Sequence, residues 1–291
     1  MTNIKNIIVV ALLTVIIYAC NSSTGVVDDF DHAAQAVKDK DTIVKYLTNH
    51  YYDATIDSIK PIVAGKTALI DDANLRVKDV TEQEVDYKLY YYIVREGSPN
   101  PVKGNPTMMD SILVKYQGRQ LTTALQPNVF ETRIYATWLT LNSVIRGWAN
   151  GFIHFKGGKN ITNNGPITYE NGGKGYMFIP SGLGYRNFDN GSITANTCLV
   201  FRFDLYDIVE GTDHDNDGLA SSLEIEDASV ESDPRKVDTD GDSIANYLDA
   251  DDDGDGKLTK DEDANGDGDP RNDFSDPSNP TLPDYLNPNI K

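Results

Sequence analysis

The chain of 291 residues is poor in the residues that staple or ligate soft metals. It has two cysteines, Cys20 and Cys198, and four scattered histidines. Two thiols far apart in sequence build no disulfide scaffold, and without clustered Cys and His there is no zinc donor set. Tryptophan is scarce, with only Trp138 and Trp148. The one long apolar run, near the N-terminus, is too short for a comfortable membrane span. A basic excess is also missing. The net charge is −19, and no Lys/Arg stripe offers a surface to phosphates, so nucleic acid is not an expected partner.

What charge there is lies unevenly. Residues 213–291 hold 24 acidic and 6 basic side chains, a net −18, while residues 1–212 carry −1. The sequence is a near-neutral body followed by a very acidic tail.

Residues 1–19 place one lysine before a short apolar run, the pattern of a secretory signal segment. The run ends in Ile17-Tyr18-Ala19-Cys20, which resembles a bacterial lipobox. That resemblance implies cleavage before Cys20 and lipidation of its sulfur. The partner would be a membrane, held through the lipid at about 0.8 kcal/mol per buried CH₂. The implied location is that of a bacterial outer-membrane lipoprotein facing the periplasm or the cell surface. Cys198 sits inside T-C-L-V-F-R-F-D-L and is expected to be a small core residue.

Residues 20–87 are expected to hold a polar tether and an N-terminal helical segment. Phe30, Ala33, Ala34, Val37, Val44 and Leu47 recur near a 3.6 period over residues 29–52, with Asp29 as N-cap. Strand patterns follow at 87–96, 111–118, 173–180 and 197–208, rich in β-formers and bounded by Gly, Pro and Ser. A short helix fits around Trp148, and the Asn- and Gly-rich residues 160–173 read as loop. The fold class is α+β, an antiparallel sheet with a short helix.

Four blocks in this body occur in the order of a known family. V-I-R-G-W at Val144–Trp148 resembles the core signature of FKBP-type peptidyl-prolyl cis–trans isomerases. V-K-Y-Q-G from Val114 is similar to that family's V-H-Y-T-G strand. I-P-S-G-L-G-Y from Ile179 resembles its I-P-x-x-x-x-Y turn, and L-V-F-R-F-D-L from Leu199 its closing strand. The resemblance covers about residues 88–210. It implies an FKBP-like sheet wrapped on a short helix, isomerisation of X–Pro bonds, and proline-containing polypeptides as partners.

The site it implies has the Trp148 indole as floor and Tyr116, Ile193 and Phe201 as walls. Val144 and Ile145 precede the indole, with the Ile145 N–H anchoring the peptide. The Tyr185 hydroxyl would donate to a substrate carbonyl. Phe130 and Glu131 stand where the family has Phe-Asp. Trp138 takes the place of another pocket aromatic, Arg186 stands where glycine follows the tyrosine, and Thr194-Ala195 replaces Pro-Pro. His154 is expected to be structural.

The chemistry explains the aromatic demand. Amide resonance sets a barrier of roughly 18–20 kcal/mol to rotation, so uncatalysed X–Pro exchange takes tens of seconds or longer. A water-poor pocket that binds the twisted amide better than the planar one lowers that barrier without nucleophile or proton donor. Two other readings stay open: a peptide-binding chaperone module that does not turn substrate over, and a calcium-dependent surface protein whose tail is the working part.

The tail, residues 211–276, repeats a ladder. Asp213, Asp215, Asp217 and Glu224 fit D-x-D-x-D-G-x₅-E, the spacing of a calcium loop. Asp238, Asp240, Asp242 and Asp249 repeat it without the glycine. Asp251, Asp253, Asp255 and Glu262 match it fully, and a fourth ladder starts at Asp263 without a terminal carboxylate. Calcium takes about 6–8 oxygens, and positions 1, 3, 5 and 12 supply carboxylates around one centre. The close spacing resembles thrombospondin type 3 or dockerin-like repeats, which implies structural Ca²⁺. Residues 277–291, rich in Pro and Asn, are expected to be loose.

Overall fold

The computed structural model describes residues 29–121, 128–225 and 233–291. The signal segment and Cys20 lie outside the described residues. The chain divides into two units, Met1–Asp31 and His32–Lys291, and every element below belongs to the second.

Helix α1, His32–Thr48, starts three residues after the expected cap Asp29 and ends before Tyr52. Tyr52 instead lies in β1, His50–Asp53, paired with β2, Ser58–Pro61. The buried stripe of α1 is Asp39, Ile43 and Leu47, spaced by four on one helix face. Ala33, Ala34 and Val37 face solvent. The expected apolar stripe is therefore rotated, because the helix is set by what Ile43 and Leu47 reach across the sheet.

The main sheet uses β3 Leu75–Glu82, β4 Val85–Arg95, β5 Ser111–Gln120 and β6 Val129–Thr140. Helix α2, Arg146–Phe152, and a small hairpin of β7 Lys159–Asn160 with β8 Tyr169–Glu170 follow. The hairpin lies within the stretch read as loop. Strands β9 Gly173–Ile179 and β10 Leu199–Val209 complete the sheet. The order is β3-β4-β9-β10-β5-β6, and every neighbouring pair is antiparallel. The fold is thus α+β with an antiparallel sheet and a short helix. The sheet begins at Leu75, so a boundary at residue 88 cuts through β4 and leaves out β3.

Side chains alternate across each strand, and both faces are covered. Tyr87, Leu89, Tyr91, Met177, Ile179, Phe201 and Phe203 share one core with α2 residues Trp148, Ala149 and Phe152. Tyr90, Tyr92, Tyr176, Phe178, Cys198 and Val200 form the other core with Ile43 and Leu47 of α1. Burial on both sides explains why these strands read as near-continuous apolar runs. Cys198 is buried, as its sequence context suggests.

The glycine of V-I-R-G-W has a packing cause. A Cβ on Gly147 would overlap Cγ2 of Ile179 and stand 2.8 Å from its Cδ1, so only glycine lets α2 settle on β9.

The tail docks through Asp110, which is 1% exposed. Its Oδ1 accepts from the Thr212 N–H at 3.1 Å and its Oδ2 from the Thr107 N–H at 2.7 Å. Among the described residues of the tail, regular structure is limited to short turns and α3, Ser221–Glu224. The C-terminal stretch is not loose. Tyr285 and Asn287 are each 1% exposed, and the Asp284 N–H donates to the Asp273 carbonyl at 2.9 Å. Local Pro and Asn content does not report this, because the contacts are with residues earlier in the tail.

Candidate functional site

Trp148 sits on the first turn of α2, and three ring edges meet its indole. Tyr116 of β5 stands at 4.7 Å and 84°, Phe201 of β10 at 5.1 Å and 85°, and Phe152 at 5.1 Å and 67°. Such edge-to-face pairs set positive ring edges against a negative ring face. Phe130 of β6 meets Phe201 edge-on at 5.6 Å. Gly118 makes room for this pair: a Cβ there would lie 2.5 Å from Phe130 and 2.7 Å from Phe201.

Ile193, Val144, Ile145 and Tyr185 belong to the same cluster. Glu131 joins it through the Tyr116 hydroxyl, which donates to Oε2 at 2.9 Å. Burial first, and then this carboxylate, push the Tyr116 pKa up to about 12. Glu131 also pairs with Arg133 at 2.9 Å. All nine residues expected at the site are thereby brought together.

Polar capacity is left over there. The Ile145 N–H and the Tyr185 hydroxyl have no hydrogen-bond partner among the described residues, and the buried Trp148 Nε1–H has none either. Burial, then Glu131, raises the Tyr185 pKa. The floor itself is covered. Trp148 is 3% exposed, while Tyr116, Phe130, Val144, Ile145 and Tyr185 are partly exposed around it. Two cavities, of about 700 and 340 Å³, lie elsewhere and are lined by none of the nine.

Trp138 is not part of this cluster. It lies on the edge strand β6, 48% exposed, and Phe152 supplies the third aromatic edge instead. The signal for Phe152 in the sequence is its place four residues after Trp148. Arg186 has φ +58°, a left-handed backbone that explains why glycine is favoured at such a position. Its guanidinium turns to Gln83 and to His32 Nε2, away from the indole. Thr194 donates to the buried Gln120 Oε1 from its hydroxyl at 3.2 Å, and Gln120 Nε2 donates to the Ser192 carbonyl at 2.6 Å. These bonds hold Ile193 in the wall. His154 stacks on Tyr91 at 4.4 Å, and burial lowers its pKa, with Lys78 adding to the shift.

Spacing arguments also passed over Asp39. Its Oδ2 accepts from both the N–H and the hydroxyl of Ser181, each at 2.7 Å, so α1 is pinned to the turn that carries Tyr185. An acid four residues before Ile43 on an apolar stripe was the available signal.

The four acidic loops share one hydrogen-bond scheme. The first carboxylate accepts from the N–H at position six: Gly218, Ser243, Gly256 and Gly268 donate to Asp213, Asp238, Asp251 and Asp263. The residue at position three accepts from the N–H at five, and position five from the N–H at seven. Position six has positive φ in all four, including Ser243 at +80°, so the missing glycine changes composition but not geometry.

Ligand atoms of Asp213, Asp215 and Asp217 lie within 4.8 Å of one another, as do those of Asp238, Asp240 and Asp242 and those of Asp251, Asp253 and Asp255. Buried oxygens without partners include Asp215 Oδ2, Asp217 Oδ2, Asp253 Oδ2, Asp255 Oδ2 and both oxygens of Glu224 and of Glu262. Burial first, then neighbouring carboxylates, push Glu224 up to about 9 and Glu262 up to about 8. Asp249 is raised mainly by burial. Orphaned, buried, all-oxygen donors of this kind fit a hard cation. In the fourth loop Asp273, one residue short of position twelve, is buried with Oδ2 unpartnered. Its Oδ1 accepts from the Asn265 N–H at 3.1 Å.

No family model and no curated protein matches the chain. Solved structures similar to it include a peptidyl-prolyl cis-trans isomerase from Pseudomonas syringae pv. tomato str. DC3000, with 17% identity and a TM-score of 0.38. The match covers 62% of this chain and 98% of that one. FkpA from Escherichia coli is similar at 20% identity and a TM-score of 0.39, over 62% of each chain.

Proposed function

We propose that the body is a peptidyl-prolyl cis–trans isomerase acting on X–Pro bonds of exported polypeptides, and that the acidic tail is a structural Ca²⁺-binding region. The observation that carries the reading is the convergence of four separated sequence blocks on one aromatic cluster around Trp148. The unpaired Ile145 N–H and Tyr185 hydroxyl sit in the same cluster and would hold the peptide on either side of the proline. The apolar walls would keep water from the amide, and tighter binding of the twisted amide would speed rotation. Tyr116 and Phe201, whose ring edges meet the indole, must shift for a proline ring to reach it, since the indole is covered in this conformation. Lipidation at Cys20 would tether the protein to an outer membrane, facing the periplasm or the cell surface.

A protease-coupled assay on an Ala-Pro-Phe-type peptide tests the activity. Wild type is expected to exceed the uncatalysed rate, and Trp148→Leu to lose most of the gain with its fold retained by circular dichroism. A wild-type rate equal to background would leave the second reading, peptide binding without turnover, which the covered indole favours. Tryptophan fluorescence titrated with a proline peptide measures that binding directly.

A further inference from the structure

Asp252 is the second residue of the third loop, a position that loop spacing does not assign to its own cage. It is nonetheless 1% exposed. Thr259 Oγ1 donates to its Oδ2 at 2.9 Å, which fixes the carboxylate plane, and Oδ1 is buried without a partner. Across the tail, Asp217 and Glu224 of the first loop are 0% and 1% exposed. Ligand atoms of Asp217, Glu224 and Asp252 lie within 4.8 Å of one another. Four oxygens are therefore left unpartnered in one dry place: Asp217 Oδ2, Glu224 Oε1 and Oε2, and Asp252 Oδ1. Among the described residues of the tail, the ion pairs Arg235 with Asp233 and Arg271 with Asp269 lie elsewhere.

The two loops are in contact beyond these acids. Lys260 of the third loop stands with its Cβ 3.6 Å from where a Cβ on Gly218 would be. Buried carboxylates that face one another need either protons or a cation between them. The donor set is all carboxylate oxygen, which selects a hard divalent ion over a soft one.

We propose that Asp252 is a ligand to the first loop's cation, so that loops one and three hold one ion jointly through Asp217, Glu224 and Asp252. This rests on the reading of the tail as Ca²⁺-binding. The shared ion ties together two segments that are far apart in sequence, and the first loop reaches full affinity only when the third is folded against it.

Calorimetric titration of the full chain with CaCl₂ tests this, comparing wild type, Asp252→Asn, Glu224→Gln, the double variant, and Asp261→Asn as an exposed charge-matched control. Asp252→Asn is expected to weaken one site at least tenfold and leave the others in place, while Asp261→Asn changes affinity less than twofold. Added to Glu224→Gln, Asp252→Asn should cost less than threefold more, because the same ion is already lost. The luminescence lifetime of bound Eu³⁺ gives a second readout: Asp252→Asn should add about one coordinated water at one site. Titration of Asp252→Asn like the control, or fully multiplicative effects with Glu224→Gln, overturns the shared ligand while leaving Ca²⁺ binding intact. No uptake by wild type overturns the Ca²⁺ reading, and the shared ligand with it.

Discussion

Asp39 on helix α1 accepts two hydrogen bonds from Ser181, one from its N–H and one from its hydroxyl, each at 2.7 Å. A charged acceptor that is 1% exposed thus fixes the turn leading to Tyr185. Hydrogen bonds to charged groups are worth about 1.5–3 kcal/mol, and a stranded buried donor adds a penalty. Asp39→Ala is expected to lower unfolding stability by about 3 kcal/mol, with Asp39→Asn less damaging, as read from urea midpoints. An Asp39→Ala midpoint within error of wild type would show the clamp to be unimportant.

Gly147 and Ile179 form a matched pair. Gly147→Ala forces a methyl into Ile179, and overpacking of this kind costs about 1–3 kcal/mol. Ile179→Ala removes the Cγ2, Cγ1 and Cδ1 atoms that the new methyl would meet and is expected to cost about 2–5 kcal/mol alone. The double variant should be more stable than the sum of the two losses, by at least 0.5 kcal/mol in order of magnitude. Strict additivity in a thermal or urea cycle would place the strain elsewhere.

Asp57 gives a pH signature. Burial on its own would raise its pKa, but hydrogen bonds from Lys174 and Tyr52 and the charge of Arg202 outweigh it and hold the group below its usual value. Lys174 Nζ lies at 2.5 Å, the Tyr52 hydroxyl at 2.6 Å and Arg202 at 2.7 Å. A folded pKa below the unfolded one stabilises above the unfolded value of about 4, and the gain disappears as pH falls through the folded pKa. With the cluster partly exposed, about 1 kcal/mol is expected. The stability gap between wild type and Asp57→Asn should hold from pH 7 to 5 and close towards pH 3. A gap that persists unchanged at pH 3 contradicts this assignment.

Removal of metal should act on the tail before the sheet. Binding to the folded state stabilises it by mass action, and without cation the buried acids must stay protonated or separate. Chelation is expected to speed amide exchange in residues 213–262 at least tenfold while β5, β9 and β10 stay protected. Equal exchange with excess calcium and with chelator would count against a metal-dependent tail.

The acidic loops were legible because their bonds are local. Each carboxylate takes an N–H two to five residues onward, so spacing alone sets the ladder, and the positive φ at Ser243 shows that the glycine is a preference rather than a condition. The aromatic blocks were legible in a different way, as four patterns in a known order. The alternation within β4 was less so. Its tyrosines all look alike in sequence, yet Tyr91 joins the core of Trp148 and Tyr92 the core of Ile43.

By itself, the sequence determined a near-neutral body, an acidic ladder and the residues able to line an apolar cleft, because composition and short-range spacing carry that information. Only the tertiary structure decided that α1 covers the back of the sheet with Asp39 inward, that Tyr116 and Phe201 close over the indole, and that Asp252 meets Glu224. Each of these is a contact between residues far apart in the chain. It depends on which faces the packed elements present to one another, and no local period encodes that.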